Sequence, residues 1–345
     1  MAELERKLTG SSVWEGLATD LAASIPDAET YVLVLFDGLG VAQLGHPAAS
    51  PLASSLAGSL DAPFPTTTSV SLATVATGLP PSRHGQVAHL TWFEELGKVV
   101  NTLKWVTIYG EQVDYDYSGL LPNPNLWERL RAAGVEPVTV QPGEFLDSPL
   151  SRVLYRGARF EPAWDVDDLV RAALQLAAEP GRLIFAYVNH VDFAGHVFGL
   201  EGSEFEEAMK VAARVWERLA DSLPSGAALV GTADHGLVEF RDTDKVLVRE
   251  ERFDVLRFAG DARGVLLWGD ESLMAELAEV TGGTLMDPLA LVGPEPTDAA
   301  QRRLGDRLLL APDDKVILPR GFDKRLRCYH GGLNSAEVEI PLLVG

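Results

Sequence analysis

The chain has 345 residues, 46% of them hydrophobic and 23% charged, with a formal net charge of -21. That length suits one large α/β domain with an insertion, and that much negative charge excludes a general binder of DNA or RNA backbones, because like charge repels a polyphosphate. Cys328 is the only cysteine, so no intrachain disulfide can form. The N-terminal stretch is acidic and lacks an apolar core, and no apolar run is long enough to span a bilayer. A cytoplasmic protein is the expectation, with no membrane partner and an open oligomeric state.

The first element expected is an amphipathic helix over Trp14 to Ala23, capped by Ser11 or Ser12. Tyr31 to Phe36, YVLVLF, is a continuous apolar run ending in Asp37-Gly38. That pattern marks a buried strand of a parallel sheet with an acid at its carboxyl end. Pro65 to Gly78 reads as a loop followed by a helix from about Val70. Thr91 to Tyr117 is aromatic and β-prone, with hairpin character, and Leu126 to Ala133 predicts a short helix before a strand over Glu136 to Val140.

Two further helix–strand units follow. Helices over Asp168 to Ala178 and Phe205 to Ser222 precede apolar strands that end in NHVD and TADHG. Alternating helices and strands predict an α/β fold with a doubly wound, mostly parallel sheet sandwiched by helices. Residues 240–325 predict a small inserted α/β lobe within the single 1–345 domain, with a strand at Gly264 to Trp268 and helices over Ser272 to Val280 and Asp298 to Leu309. His330 then enters on a glycine-rich loop before a last apolar strand.

Taken singly, the polar residues at the strand ends are ordinary. Asp37 suits a turn, Asp192 and His196 are one helical turn apart, His330 suits a loop, and Thr68 in a run of three threonines suits a cap. Together they are three carboxylates and three imidazoles that a parallel sheet delivers to one edge, where open α/β sheets bind ligands. Mixed carboxylate and imidazole donors suit zinc, manganese or iron rather than calcium, and six of them suffice for two adjacent ions.

The ordered motifs LVLFDGLG, PTTTSVSLATVATGLPPSRHG, NHVDFAGHVFG, TADHG and HGG resemble the alkaline phosphatase superfamily, and within it the type I phosphodiesterases and nucleotide pyrophosphatases. The resemblance implies that Asp192, His196 and His330 hold one divalent cation, Zn2+ or Mn2+. It implies that Asp37, Asp234 and His235 hold a second, together with a nucleophilic threonine. Counting back from Gly78 makes that nucleophile Thr68, with Thr67 and Thr66 as alternatives. Where the family has an asparagine that holds a phosphoryl oxygen, this chain has His89; after the nucleophile it has Ser69-Val70-Ser71. The implied activity is hydrolysis of a small phosphodiester or nucleotide pyrophosphate through a phosphothreonine. A phosphomonoesterase on the same site and a non-catalytic metal-binding protein are the alternatives. Monoesterases add arginine or lysine near the site; here only Arg83 and Lys104 stand near the expected place. Trp92, Phe93, Trp105 and Tyr109 fit either a stacking surface or the core of a hairpin.

Overall fold

The computed structural model describes residues 1–345. Its central sheet has seven strands, ordered Leu56–Asp61, Glu339–Val344, Ala227–Thr232, Thr30–Phe36, Arg182–Val188, Glu136–Pro142 and Arg159–Ala163. The last five are mutually parallel. Thr30–Phe36 sits between two parallel neighbours and is buried along its whole length, which is why its sequence is a continuous apolar run and not an alternating one. Register pairs Phe36 with Val188 and Leu35 with Thr232. The three strands therefore end level, and Asp37, Asn189 and Ala233 leave from the same edge.

Alternation along the central strand fills two cores. Val32, Val34 and Phe36 face the helices Val166–Ala177, His190–Phe198 and Ser203–Ser222, within a cluster of 35 buried residues. Tyr31, Leu33 and Leu35 face Thr68–Thr77, Leu126–Ala132 and Pro149–Leu154, within a cluster of 28. Each fully buried side chain of this kind contributes about 1.5–3 kcal/mol, so both faces hold the strand whose end carries Asp37.

A second seven-stranded sheet, antiparallel throughout, runs Thr284–Met286, Arg307–Leu310, Gly264–Trp268, Arg257–Gly260, Leu90–Phe93, Lys98–Asn101 and Val106–Thr107. Four strands come from residues 257–310. The other three are the 90–107 hairpin region, joined through the pair Gly260–Leu90.

Two expected helices differ. Helix forms at Ala2–Thr9 and again at Thr19–Ser24, leaving Trp14 to Leu17 outside any helix. Gly10 closes the first helix in the left-handed conformation, φ 83°, so neither Ser11 nor Ser12 caps a helix. The helix expected over Asp298 to Leu309 stops at Leu304; Gly305 breaks it and Arg307–Leu310 becomes a strand paired on both sides. The apolar run Leu308 to Leu310 is short enough to suit either element, and sheet pairing decides it.

Candidate active site

The six side chains expected as ligands form two groups at the carboxyl edge of the central sheet. Asp192, His196 and His330 make one; Asp37, Asp234 and His235 make the other. Within each group the donor atoms all lie within 4.8 Å of one another. Asp192 and His196 lie on the helix His190–Phe198, with His196 Nε2 3.2 Å from Asp192 Oδ1. His235 Nε2 lies 3.5 Å from Asp37 Oδ1 and 3.4 Å from Asp234 Oδ2. The two groups touch: the rings of His235 and His330 stack with centroids 3.7 Å apart.

Backbone contacts fix these loops. Asp37 N–H donates to the Val188 carbonyl and Asp192 N–H to the Asp37 carbonyl. Between them Gly38 adopts φ 76°, and a Cβ there would fall 2.9 Å from the Asp192 Cα. Only glycine allows both the left-handed turn and this approach of the two ligand-bearing segments. Asp234 Oδ1 accepts from Gly38 N–H and His235 N–H, which aims Oδ2 into the site.

The donor chemistry fits cations. Nδ1 of each histidine lies against a backbone carbonyl: His196 on Cys328, 2.8 Å; His330 on Thr66, 2.8 Å; His235 on Gly236, 3.1 Å. A carbonyl only accepts, so Nδ1 carries the proton and each Nε2 presents a lone pair toward the carboxylates. Asp37 Oδ1, Asp192 Oδ1 and Asp234 Oδ2 are buried and receive no hydrogen bond. Lone pairs facing unpaired carboxylate oxygens repel unless positive charge lies between them, and this wiring is how metal-binding imidazoles are oriented. The electrostatics agree. Burial and the charges of Asp234 and Asp192 push the Asp37 carboxyl well above its usual range. Burial, His235 and His196 push His330 well below the usual imidazole value. A site that disfavours both the Asp37 anion and the His330 cation suits added positive charge.

The three threonines separate cleanly. Thr66 Oγ1 is tied between Gly331 N–H and the Gly332 carbonyl. Thr67 is the N-cap residue of the helix and lies beside Asp261. Thr68 alone faces the ligands, with Oγ1 3.1 Å from His235 Nε2. It opens the helix Thr68–Thr77, so the N–H groups of Thr68 and Ser69 have no carbonyl one turn earlier in the helix to receive them. Ser71 Oγ donates to the Asp234 carbonyl, fastening this helix to the Asp234-His235 loop.

His89 lies on the loop before the Leu90–Phe93 strand, half-buried, with its backbone N–H on Asp261. The fields of His196 and Lys104 reach it. Of the aromatics, Phe93 and Trp105 are core residues packed with Tyr115. Trp92 stacks on Arg257, and Tyr109 is exposed. Arg83 is paired with Glu295, and Lys104 is an exposed amine.

Several contributors lay outside the sequence reading. Tyr187, next to last in its strand, donates its hydroxyl to Asp37. Asp261 reaches the Thr67–His89 region from the 257–310 strands, where the sequence shows no site-like pattern. Glu337 accepts the Gly332 N–H and is held by the buried Arg263. The DARG turn around Asp261 and Arg263 was the available signal, two charges inside an otherwise apolar hairpin.

A scan of protein families matches residues 31–280, more than half of the chain, to type I phosphodiesterase / nucleotide pyrophosphatase. Among solved structures, human ectonucleotide pyrophosphatase/phosphodiesterase 5 aligns with a TM-score of 0.68 at 18% identity, over 91% of this chain and 87% of that one. The murine protein in an inactive threonine-to-alanine form bound to AMP aligns at 0.66 and 16% identity, over 90% and 87%. Phosphonoacetate hydrolase from Sinorhizobium meliloti 1021, bound to phosphonoformate, aligns at 0.67 and 18%, over 93% and 91%. No protein of curated function matches by sequence. Fold and family match together define a phosphoric ester hydrolase of the alkaline phosphatase superfamily. Within that class, the chain belongs to the type I phosphodiesterase / nucleotide pyrophosphatase family. No helix is long and apolar enough to cross a membrane.

Proposed function

We propose that the chain hydrolyses a small phosphodiester or nucleotide pyrophosphate, with Thr68 as nucleophile beside two divalent cations, Zn2+ or Mn2+. One observation carries the reading: of the three consecutive threonines, Thr68 is the one whose hydroxyl meets the candidate ligands, with Oγ1 3.1 Å from His235 Nε2 beside the buried Asp37–Asp234–His235 group. When bound, the cations neutralise phosphoryl charge, lower the pKa of a coordinated hydroxyl or water, and stabilise the entering and leaving oxygens. Asp192, His196 and His330 would hold one; Asp37, Asp234 and His235 would hold the other.

The protein's own groups then have distinct tasks. Thr68 Oγ1 attacks phosphorus and the ester oxygen leaves, giving phosphothreonine, which water hydrolyses to restore the hydroxyl. The N–H groups of Thr68 and Ser69 offer hydrogen bonds to phosphoryl oxygens, aided by the positive end of their helix. His89 supplies a further neutral donor. Arg83 is committed to Glu295, so its guanidinium is not free to meet the second charge of a monoester; this favours a diester. AMP and phosphonoformate in the fold relatives support a small phosphorylated ligand.

The test compares an aryl phosphodiester, its monoester and a phosphonate as substrates, with metal content measured alongside. Diester hydrolysis abolished by chelation and by Thr68→Ala, with about two ions per chain retained in the variant, supports the reading. Wild-type turnover in Thr68→Ala would refute the nucleophile. A strong preference for the monoester or phosphonate would replace the substrate class. Full metal content with no turnover on any of the three would indicate a binding protein.

A further inference from the structure

His89 is wired in the opposite sense from the three ligand histidines. Its Nε2 lies 3.1 Å from Asn101 Nδ2. The orientation of that amide is not free: Asn101 Oδ1 accepts the N–H groups of Leu103 and Lys104, at 3.1 and 3.2 Å. Both are donors, so the oxygen must face them and the NH2 must face His89. An amide NH2 can only donate, so His89 Nε2 must be the acceptor. The ring proton is thereby placed on Nδ1, which has no partner within the chain. In His196, His235 and His330 a carbonyl takes up the Nδ1 proton and leaves a lone pair for a cation; in His89 an amide takes up the lone pair and leaves an N–H.

The mount around this ring is rigid. The His89 carbonyl accepts from Thr102 N–H at 3.0 Å and Thr102 Oγ1 at 3.1 Å, and its N–H donates to Asp261. The buried Gln86 amide bridges the Ala88 carbonyl and Thr102, while Ser69, next to the proposed nucleophile, donates to that same Ala88 carbonyl. The loop is thus hung on the nucleophile helix. Burial, with the charges of His196 and Lys104, holds the His89 pKa down to about 4, so the ring stays neutral at working pH and keeps a single defined tautomer.

We infer that Asn101 is a positioning residue that fixes His89 as an Nδ1–H donor to an anionic phosphoryl oxygen of the bound substrate. The inference rests on the phosphodiesterase reading for the identity of the anion; the tautomer itself does not. A neutral donor suits a diester's single charge, and it cannot compete for the cations, because its lone pair is already occupied.

The experiment uses the metal-loaded protein labelled with 15N-histidine, with His89→Gln to assign the resonance. Wild-type His89 should show a protonated, pyrrole-type Nδ1 and a pyridine-type Nε2. Adding inorganic phosphate should move the Nδ1–H resonance. In Asn101→Asp the carboxylate demands a proton on Nε2, so the tautomer should invert and phosphate should no longer move Nδ1. Diester kcat/KM should fall about 100-fold, the usual loss of one oxyanion donor, with metal content unchanged. Asn101→Ala serves as a second variant, expected to give mixed tautomers and an intermediate loss. A protonated Nε2 in the wild type overturns the role of Asn101. An unmoved Nδ1–H on phosphate binding overturns the donor role. Either result stands apart from the enzyme reading, which fails separately if the wild type turns over none of the esters while its His89 tautomer is as stated.

Discussion

The imidazoles of His235 and His330, from the last two motifs of the series, lie face to face with centroids 3.7 Å apart and planes 15° from parallel. One ring belongs to each ligand group, so the two groups share a wall. Two rings this close cannot both be protonated without strong repulsion, and burial already opposes the charge on His330. The two proposed metal sites should therefore behave as a unit. We expect His330→Ala to lower the bound metal from about two ions per chain to about one, and to weaken the remaining ion as well, because the ring packed on His235 is gone. Metal analysis after dialysis, with calorimetric titration of the metal-free variant, reads both effects. Unchanged affinity of the remaining ion would show that the wall is not shared.

Asp37 carries the opposite signs in the two states of the protein. Without metal its carboxyl is pushed well above the ordinary range by burial and by Asp234 and Asp192. A carboxyl whose pKa is higher folded than unfolded binds a proton more readily in the native state. Its contribution is then greatest at low pH and declines as pH rises from about 4, the unfolded value, through the folded pKa. Asp37→Asn removes that liability while still accepting the Tyr187 hydroxyl. It should stabilise the metal-free protein at pH 7 by about 1–3 kcal/mol, within the usual span of single substitutions. With metal present the sign reverses, since stabilisation by a ligand follows its affinity. Urea midpoints with and without added Zn2+ test the crossing; destabilisation in both states would contradict it.

Buried Arg263 links the antiparallel sheet to the loop that carries His330. Its guanidinium pairs with Glu337, 3.0 Å between Nη2 and Oε2, and donates to the carbonyls of Pro312 and Lys315. Glu337 Oε1 in turn accepts the Gly332 N–H at 2.9 Å. Removing Arg263 alone leaves a buried carboxylate unpaired, a loss of about 3–5 kcal/mol. The double change Arg263→Met with Glu337→Leu should recover much of that stability. It should not recover metal affinity, because Gly332 then has no acceptor and the His330 loop loses its anchor. Denaturant midpoints and metal titrations on the single and double variants separate these effects. Recovery of both together would reduce the pair to a packing element.

The two candidate ligand groups were legible because their members sit where strands of one kind must end. Asp37 and Asp234-His235 close continuous apolar runs, and Asp192 and His196 are spaced for one helical turn. A parallel sheet turns that local grammar into proximity. The threonine register was not legible: Thr66, Thr67 and Thr68 are alike in sequence and differ only through distant partners, Gly331, Asp261 and His235. The same holds for Asn101 and Glu337, whose work depends on contacts across separate segments. The Trp14 to Ala23 and Asp298 to Leu309 helices failed for local reasons, since a helix upstream closed at Gly10 and Gly305 ended the other early.

Asp261 gives a pH dependence unconnected with the metal ligands' own titration. It is almost fully buried beneath Thr67 and the His89 loop, with a Gly331 Cα so close that a Cβ there would fall 2.6 Å from the Asp261 Cβ. Burial raises its pKa to about 7, against the lowering pull of the His89 N–H and the Thr67 hydroxyl. The unfolded carboxyl titrates near 4. Between about pH 4 and 7 the native state therefore holds more protons than the unfolded one, and stability falls as pH rises through that window, levelling off above it. Asp261→Asn keeps an acceptor for both neighbours and removes the charge. Its stability relative to wild type should grow from pH 5 to pH 8, by about 1.4 kcal/mol for each pH unit between the two pKa values. Urea denaturation of the metal-free proteins across that range provides the test: a difference that stays constant with pH would mean that Asp261 is ionised throughout, held so by the two hydrogen bonds that here fail to outweigh its burial.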